Sequence, residues 1–183
     1  MTLDPLDRRP ATVEQIKAIA NSTRLRIMRL CHDGDWTNKT LADRLRLDPS
    51  TTLHHLRILE SAGLVTALPA VKGHTGALEK PYRSTGLSWR LILDDSLKDE
   101  ESAGEPAPLA AFRHEFREAG LDSSVELTRL HLHLDNQEVV EFVRRIRAVI
   151  DEYVETDQER KQRGSASYGA LFATHRLADP HPQ

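Results

Sequence analysis

Between Pro49 and Ser61 the chain reads PSTTLHHLRILES, and at helical spacing its early turns present Ser50, Thr51, Leu53, His54 and Arg57. Hydroxyls and an imidazole exchange hydrogen bonds, a leucine meets a thymine methyl, and a guanidinium neutralises phosphate. That set suits the reading of base edges rather than the breaking of bonds. Further cations flank it: Lys39 and Arg44 precede the segment, and Lys72, His74, Lys80 and Arg83 follow, where a hairpin could carry them to backbone or minor groove. Catalytic signatures are missing. The chain has no glycine-rich phosphate loop, no nucleophile elbow around a serine and no ligand triad at metalloenzyme spacing, so no enzyme is expected.

The chain offers little to a metal or cofactor. Cys31 is its single cysteine, which excludes an internal disulfide and any thiolate cluster. Cys31, His32 and Asp33 are adjacent on a helical segment and cannot all converge on one tetrahedral ion. His131 and His133 share one face of an alternating stretch, which keeps a metal-responsive sensor open as an alternative; no metal or cofactor is expected.

The elements that must hold the outward residues are legible from caps and periodicity. Thr12 followed by Gln15 forms a capping box ahead of Val13, Ile16, Ile19 and Ala20. A second helix spans about 23–32 and stops at Gly34, and Thr37 caps a short third helix through Leu41, Ala42 and Leu45. Asp48 and Pro49 supply the N-cap and first-turn proline of the fourth, which ends at Gly63. Leu41, Leu45, Leu56 and Leu59 then make a buried seam between the third and fourth helices, with small Ala42 allowing close approach. From Leu64 the period falls to two, giving a strand over 64–68, a loop over 69–81 and a returning strand over 82–85. Helices followed by a β-hairpin in this order make a winged helix-turn-helix domain.

At this point the residues resemble a known family. The run from Asp48 to Val65, DPSTTLHHLRILESAGLV, is similar to the recognition helix of ArsR-type bacterial transcription regulators, and NSTRLRIM from Asn21 to Met28 resembles the helix ahead of their helix-turn-helix. The resemblance spans roughly residues 12–90. It implies a homodimer on a near-palindromic operator, usually repressing, with release by a metal or another signal. Two positions depart from the pattern: Arg46 stands where glycine is common in the helix-to-helix turn, and Leu53 where a small polar contact is usual, a leucine that either meets a thymine methyl or extends the core. The family's usual cysteine pair would fall near Trp36 to Thr40, where this chain has none.

Charge divides the chain in two. Residues 1–94 carry 14 Lys+Arg against 10 Asp+Glu, net +4, and residues 95–183 carry 11 against 18, net −7, so the N-terminal part is the expected DNA partner. The expected organisation is a flexible arm (1–11), the winged helix-turn-helix domain (12–94), an acidic linker (95–108), a dimerisation or effector module (109–163) and a disordered tail (164–183). Within the module, 109–119 reads as a short helix and 125–134 as a strand. A second capping box at Asp135 and Glu138 opens the strongest helix, about 40 Å long if continuous over 136–163. Phe142, Ile146, Val149, Ile150 and Tyr153 share one of its faces, which predicts pairing with a second copy. The fold class is thus mainly α with a small β-hairpin wing, plus a C-terminal α/β dimerisation segment built on a long helix. With no apolar run of roughly 20 residues and no secretory signal, the expectation is a cytoplasmic protein that binds double-stranded DNA, not membrane, and answers to an effector the residues do not name. A winged-helix protein-interaction module using the acidic half is the other alternative.

Overall fold

Local hydrogen bonds start and stop the N-terminal helices where the sequence predicts. In α1 (Val13–Ile19) the Thr12 side chain accepts from Gln15 N, and Gln15 returns the bond to the Thr12 amide. Asn21 caps α2 (Ser22–Asp33), and Thr37 caps α3 (Asn38–Leu45) through a second box with Thr40. The helix α4 (Pro49–Ser61) follows Asp48, which caps by backbone position alone, its carboxylate making no cap hydrogen bond. The computed structural model describes residues 8–72, 78–92, 105–123, 126, 128 and 130–176, and divides into two compact units, Met1–Ala119 and Gly120–Gln183.

Two helix ends share one geometry, and it sets the angle of the reading helix. Gly63 is left-handed at φ 72°, with its amide donating to Glu60 O and that of Leu64 to Leu59 O, the paired bonds of a Schellman end. Arg46 repeats this after α3: its φ is 56°, its amide donates to Asp43 O, and that of Leu47 to Ala42 O. Arg46 is the only non-glycine at positive φ among the described residues. Its Cβ meets a penalty that glycine avoids. The substitution Arg46→Gly should therefore stabilise the protein by about 1 kcal/mol, offset in part by the freer unfolded chain. Urea unfolding checks this; a lower midpoint in the variant would refute the strain.

The core of the first unit is the one the apolar pattern marks. Leu41, Leu56 and Leu59 are fully buried and Leu45 nearly so, closing the seam between α3 and α4, with Ile27, Leu30 and Cys31 of α2 beneath. Buried Gln15 donates from Nε2 to Ala62 O at 3.3 Å, tying α1 to the end of α4. Asn38 Nδ2 donates to Pro49 O at 3.0 Å and ties the start of α3 to the start of α4.

Short strands complete the unit, several of them unseen in the sequence. In chain order they are β1 (Arg9–Pro10), β2 (Trp36–Thr37), β3 (Val65–Ala67), β4 (Val71–Lys72), β5 (Leu78–Glu79), β6 (Pro81–Ser84) and β7 (Leu91–Ile92). The sheet β2-β6-β3 is antiparallel, with Trp36 and Ala67 both opposite Tyr82 and Thr66 opposite Arg83. Strands β4 and β5 pair as the tip of the wing, inside what the sequence presents as loop. Strand β1 runs parallel to β7 (Arg9 opposite Leu91), so the described end of the expected flexible arm is held in a ladder.

The helix α5 (Ala107–Ala119) also differs from expectation. Sequence grouped 109–119 with the C-terminal half, but this helix packs on α2, burying Ala111 and pairing Glu115 with Arg29 at 2.9 Å. The expected linker falls mostly outside the described residues.

In the second unit, α6 (Asn136–Glu155) opens at the predicted capping box of Asp135 and Glu138. It is not continuous to 163. A turn at Thr156 separates it from α7 (Asp157–Gln162), and the Thr156 hydroxyl donates back to Glu152 O at 3.1 Å, a local bond that competes with helix propagation. The expected strand over 125–134 is not formed among its described residues, 126, 128 and 130–134, and Leu130, Leu132 and Leu134 are 61%, 54% and 39% exposed. Alternation prepares two faces, but a strand also requires a neighbour for its ladder. Of the expected disordered tail, 165–176 form no helix or strand, and the Phe172 ring lies against Phe142 with centroids 6.1 Å apart.

Candidate nucleic-acid interface

The helix α4 sorts its residues by face. Thr52, Leu56 and Leu59 point into the core, and the Thr52 hydroxyl donates to Asp48 O at 3.1 Å, which locks the first turn. Ser50, Thr51, His54 and Arg57 are exposed. Ser50, His54 and Arg57 follow the spacing of one helical stripe, with Thr51 beside it. Leu53 is half-buried at the edge of this surface, so its side chain serves the packing and the outer face at once.

The two histidines divide as their faces dictate. His54 is exposed, while His55 is half-buried with Nδ1 sealed from solvent and without a hydrogen-bond partner among the described residues. Burial first, then the charge of Arg24 and the neighbouring His54, hold the His55 imidazole below its ordinary 6.5. The unfolded chain binds this proton near 6.5 and the folded chain resists it. Stability tied to His55 is therefore complete above 6.5 and is lost as pH falls from there through the lower folded value. Thermal melts at pH 7.5 and 5.5 should show a smaller acid-side drop for His55→Gln than for the parent; equal drops would remove His55 as the cause.

The cations predicted around α4 do not all stand alike. Lys39 and Lys72 are exposed, on α3 and on the wing. Arg83, on β6, is held by both oxygens of Asp35 at 2.6 Å, and this pairing raises its pKa. Lys80 reaches Glu60 at 3.5 Å and lies 5.5 Å over the Tyr82 ring. Arg44 pairs with Glu118 of α5 at 3.3 Å. His74 lies outside the described residues. Pairing in the free protein does not bar a phosphate, but each such contact must first displace a carboxylate. Asp35, Glu60 and Glu118 were invisible to spacing because their partners are 48, 20 and 74 residues away in sequence.

Cys31 is fully buried, and burial, with Asp35 adding, pushes its thiol up to about 12. Its side chain packs within the apolar core of the first unit. His131 and His133 are exposed in the second unit, and no group of three His, Cys, Asp or Glu among the described residues is placed to hold a metal.

Helices α3 and α4 crossing through a left-handed turn, with α1 and α2 behind them and the β3-β6 wing beside, define a winged helix-turn-helix domain. Residues 19–66 match the family model described as a helix-turn-helix domain. HlyU from Vibrio cholerae N16961 is 30% identical over 39% of this chain and 72% of its own, with a TM-score of 0.33. The reduced form of HlyU gives 29% identity, 39% and 70% coverage, and a TM-score of 0.34. The homodimeric winged helix-turn-helix DNA-binding domain (fragment 1-100) of Mb0332 from Mycobacterium bovis, described as a possible ArsR-family transcriptional regulator, is 23% identical over 63% of this chain and 85% of its own, with a TM-score of 0.34. No curated protein matches. Residues 19–66 thus belong to the helix-turn-helix domain family, and the protein is a helix-turn-helix DNA-binding transcription regulator.

Proposed function

We propose that the protein is a homodimeric, sequence-specific regulator that represses transcription from a near-palindromic operator in the cytoplasm. Two copies of α4 enter successive major grooves about 34 Å apart, and the wings lie over the flanking backbone. The observation that carries this reading is the exposed row Ser50, Thr51, His54 and Arg57 on a helix whose opposite side is locked into the core by Thr52, Leu56 and Leu59. A rigid rod with hydrogen-bonding groups outward is what direct readout requires. Lys39, Arg44, Lys72, His74, Lys80 and Arg83 serve phosphates, and Leu53 meets a thymine methyl at the edge of the contact. The apolar face of α6 joins the copies.

Fluorescence anisotropy with a labelled duplex from upstream of the protein's own gene tests the reading. Affinity should fall steeply with salt as counterions are released, and an unrelated duplex should bind far more weakly. Salt-insensitive binding, or none, would overturn it.

A further inference from the structure

Where α2, the end of α3 and the end of α5 meet, a cavity of about 340 Å³ is lined by Arg26, Arg44, Leu45, Arg46, His114 and Glu118. Three arginines line it beside one carboxylate. Glu118 gives one oxygen to Arg26 Nη2 and the other to Arg44 Nη1 at 3.3 Å, while Arg46 has no ion pair among the described residues. The Arg26 side chain is only 12% exposed, and its Nε is buried without an acceptor among the described residues. Such a donor, removed from water and left unmatched, is costly.

An ordinary role explains only part of this cluster. Basic side chains in a last helical turn offset the carbonyl end of the helix, which accounts for Arg44 and Arg46 at the end of α3. Arg26 lies within α2 and is nearly buried, so that role does not reach it. A bound duplex is equally poor as an explanation, since it can touch exposed Arg44 and Arg46 from outside but cannot bring a phosphate to a guanidinium so enclosed. Glu118 behaves instead as an internal occupant of an anion site that retains unmatched positive charge.

We infer that this cavity binds a small multivalent anion, a phosphate ester or a di- or tricarboxylate, through Arg26, Arg44 and Arg46. Planar guanidinium groups match carboxylate and phosphate oxygens in pairs, and the volume suits a small metabolite. The ligand takes the place of Glu118 on Arg44, loosening the tie of α5 to α3 next to the turn that enters α4. That last consequence rests on the DNA reading above; the binding itself does not.

Calorimetry and thermal unfolding of the full chain with citrate and with inorganic phosphate, at ionic strength held constant with sodium chloride, test the site. At least one of the two should bind and raise the melting temperature beyond the chloride control. Arg46→Gly removes one cation at a position that favours glycine, so the fold persists, and its affinity for that anion should fall about tenfold, the worth of one charge-assisted hydrogen bond. Glu118→Gln removes the competing charge and should tighten the same anion by a similar factor. Stabilisation no greater than that by chloride, or equal affinities in all three proteins, would overturn the site. So would an Arg46→Gly variant that loses duplex affinity with anion affinity unchanged, because the arginines would then serve the DNA backbone. Anion binding in a protein that binds no duplex would uphold the site and remove the DNA reading.

Discussion

Replacing Ser50, Thr51 and His54 together by alanine is expected to reduce affinity for the operator duplex at least about a hundredfold while leaving the fold intact. Base contacts of this type contribute about 1–3 kcal/mol each, so three at the lower bound already amount to two orders of magnitude. The three side chains are exposed and alanine is the better helix former, so circular dichroism and the melting temperature should hold steady or rise slightly. Binding to an unrelated duplex should change little, because that affinity comes from cations such as Lys39 and Arg57, which the variant keeps. The contrast between the two duplexes is the decisive readout. Equal losses on both would mean that the helix face positions the protein without reading sequence. Unchanged operator affinity, with loss of a protein partner in a pulldown, would transfer the working role to protein recognition.

Much of the fold that holds α4 was legible because its local rules act within a few residues. The Thr12 box, the Thr37 cap, the proline at the start of α4 and the left-handed Gly63 each follow from side-chain chemistry at spacings under five, whereas the Thr37–Thr40 box was not read and the left-handed Arg46 was marked only by the resemblance. The buried seam of Leu41, Leu45, Leu56 and Leu59 followed from the 3.6 period. Pairings between distant segments were not legible. Strands β1, β2 and β7 are two residues long and show no period, and only the ladder partner makes them strands. Residues 130–134 teach the converse, since a good alternation without a ladder neighbour among the described residues stays irregular. Placement of α5 on α2 depends on Arg26, Arg29 and Arg44 meeting Glu115 and Glu118, and charge counted by half-chain hides such a meeting. The break at Thr156 escaped for another reason: the apolar stripe of α6 ends near Val154, so periodicity has no residue left to register it.

Substituting Val149 and Tyr153 by glutamate should convert a dimer to a monomer and cost at least about a hundredfold in affinity for a two-half-site duplex. Phe142, Ile146, Val149, Ile150 and Tyr153 recur at helical spacing, so they share one face of α6. Val149, Ile150 and Tyr153 remain 55%, 38% and 62% exposed, and an apolar stripe left open to water is a surface for association. Because both substituted side chains are more than half exposed in the single chain, charge there costs the isolated helix little. Two carboxylates per copy in a self-complementary interface face each other across the two-fold axis, without the apolar contact that would offset their desolvation. Loss of the second reading helix then removes the avidity gained when one bound half-site holds its partner near the next, a factor of about 10²–10⁴. Sedimentation should report half the mass, and a duplex carrying one half-site should bind parent and variant alike. A variant that sediments with the parent's mass would place the dimer contact elsewhere, and a monomeric parent would deny the pairing of reading helices altogether.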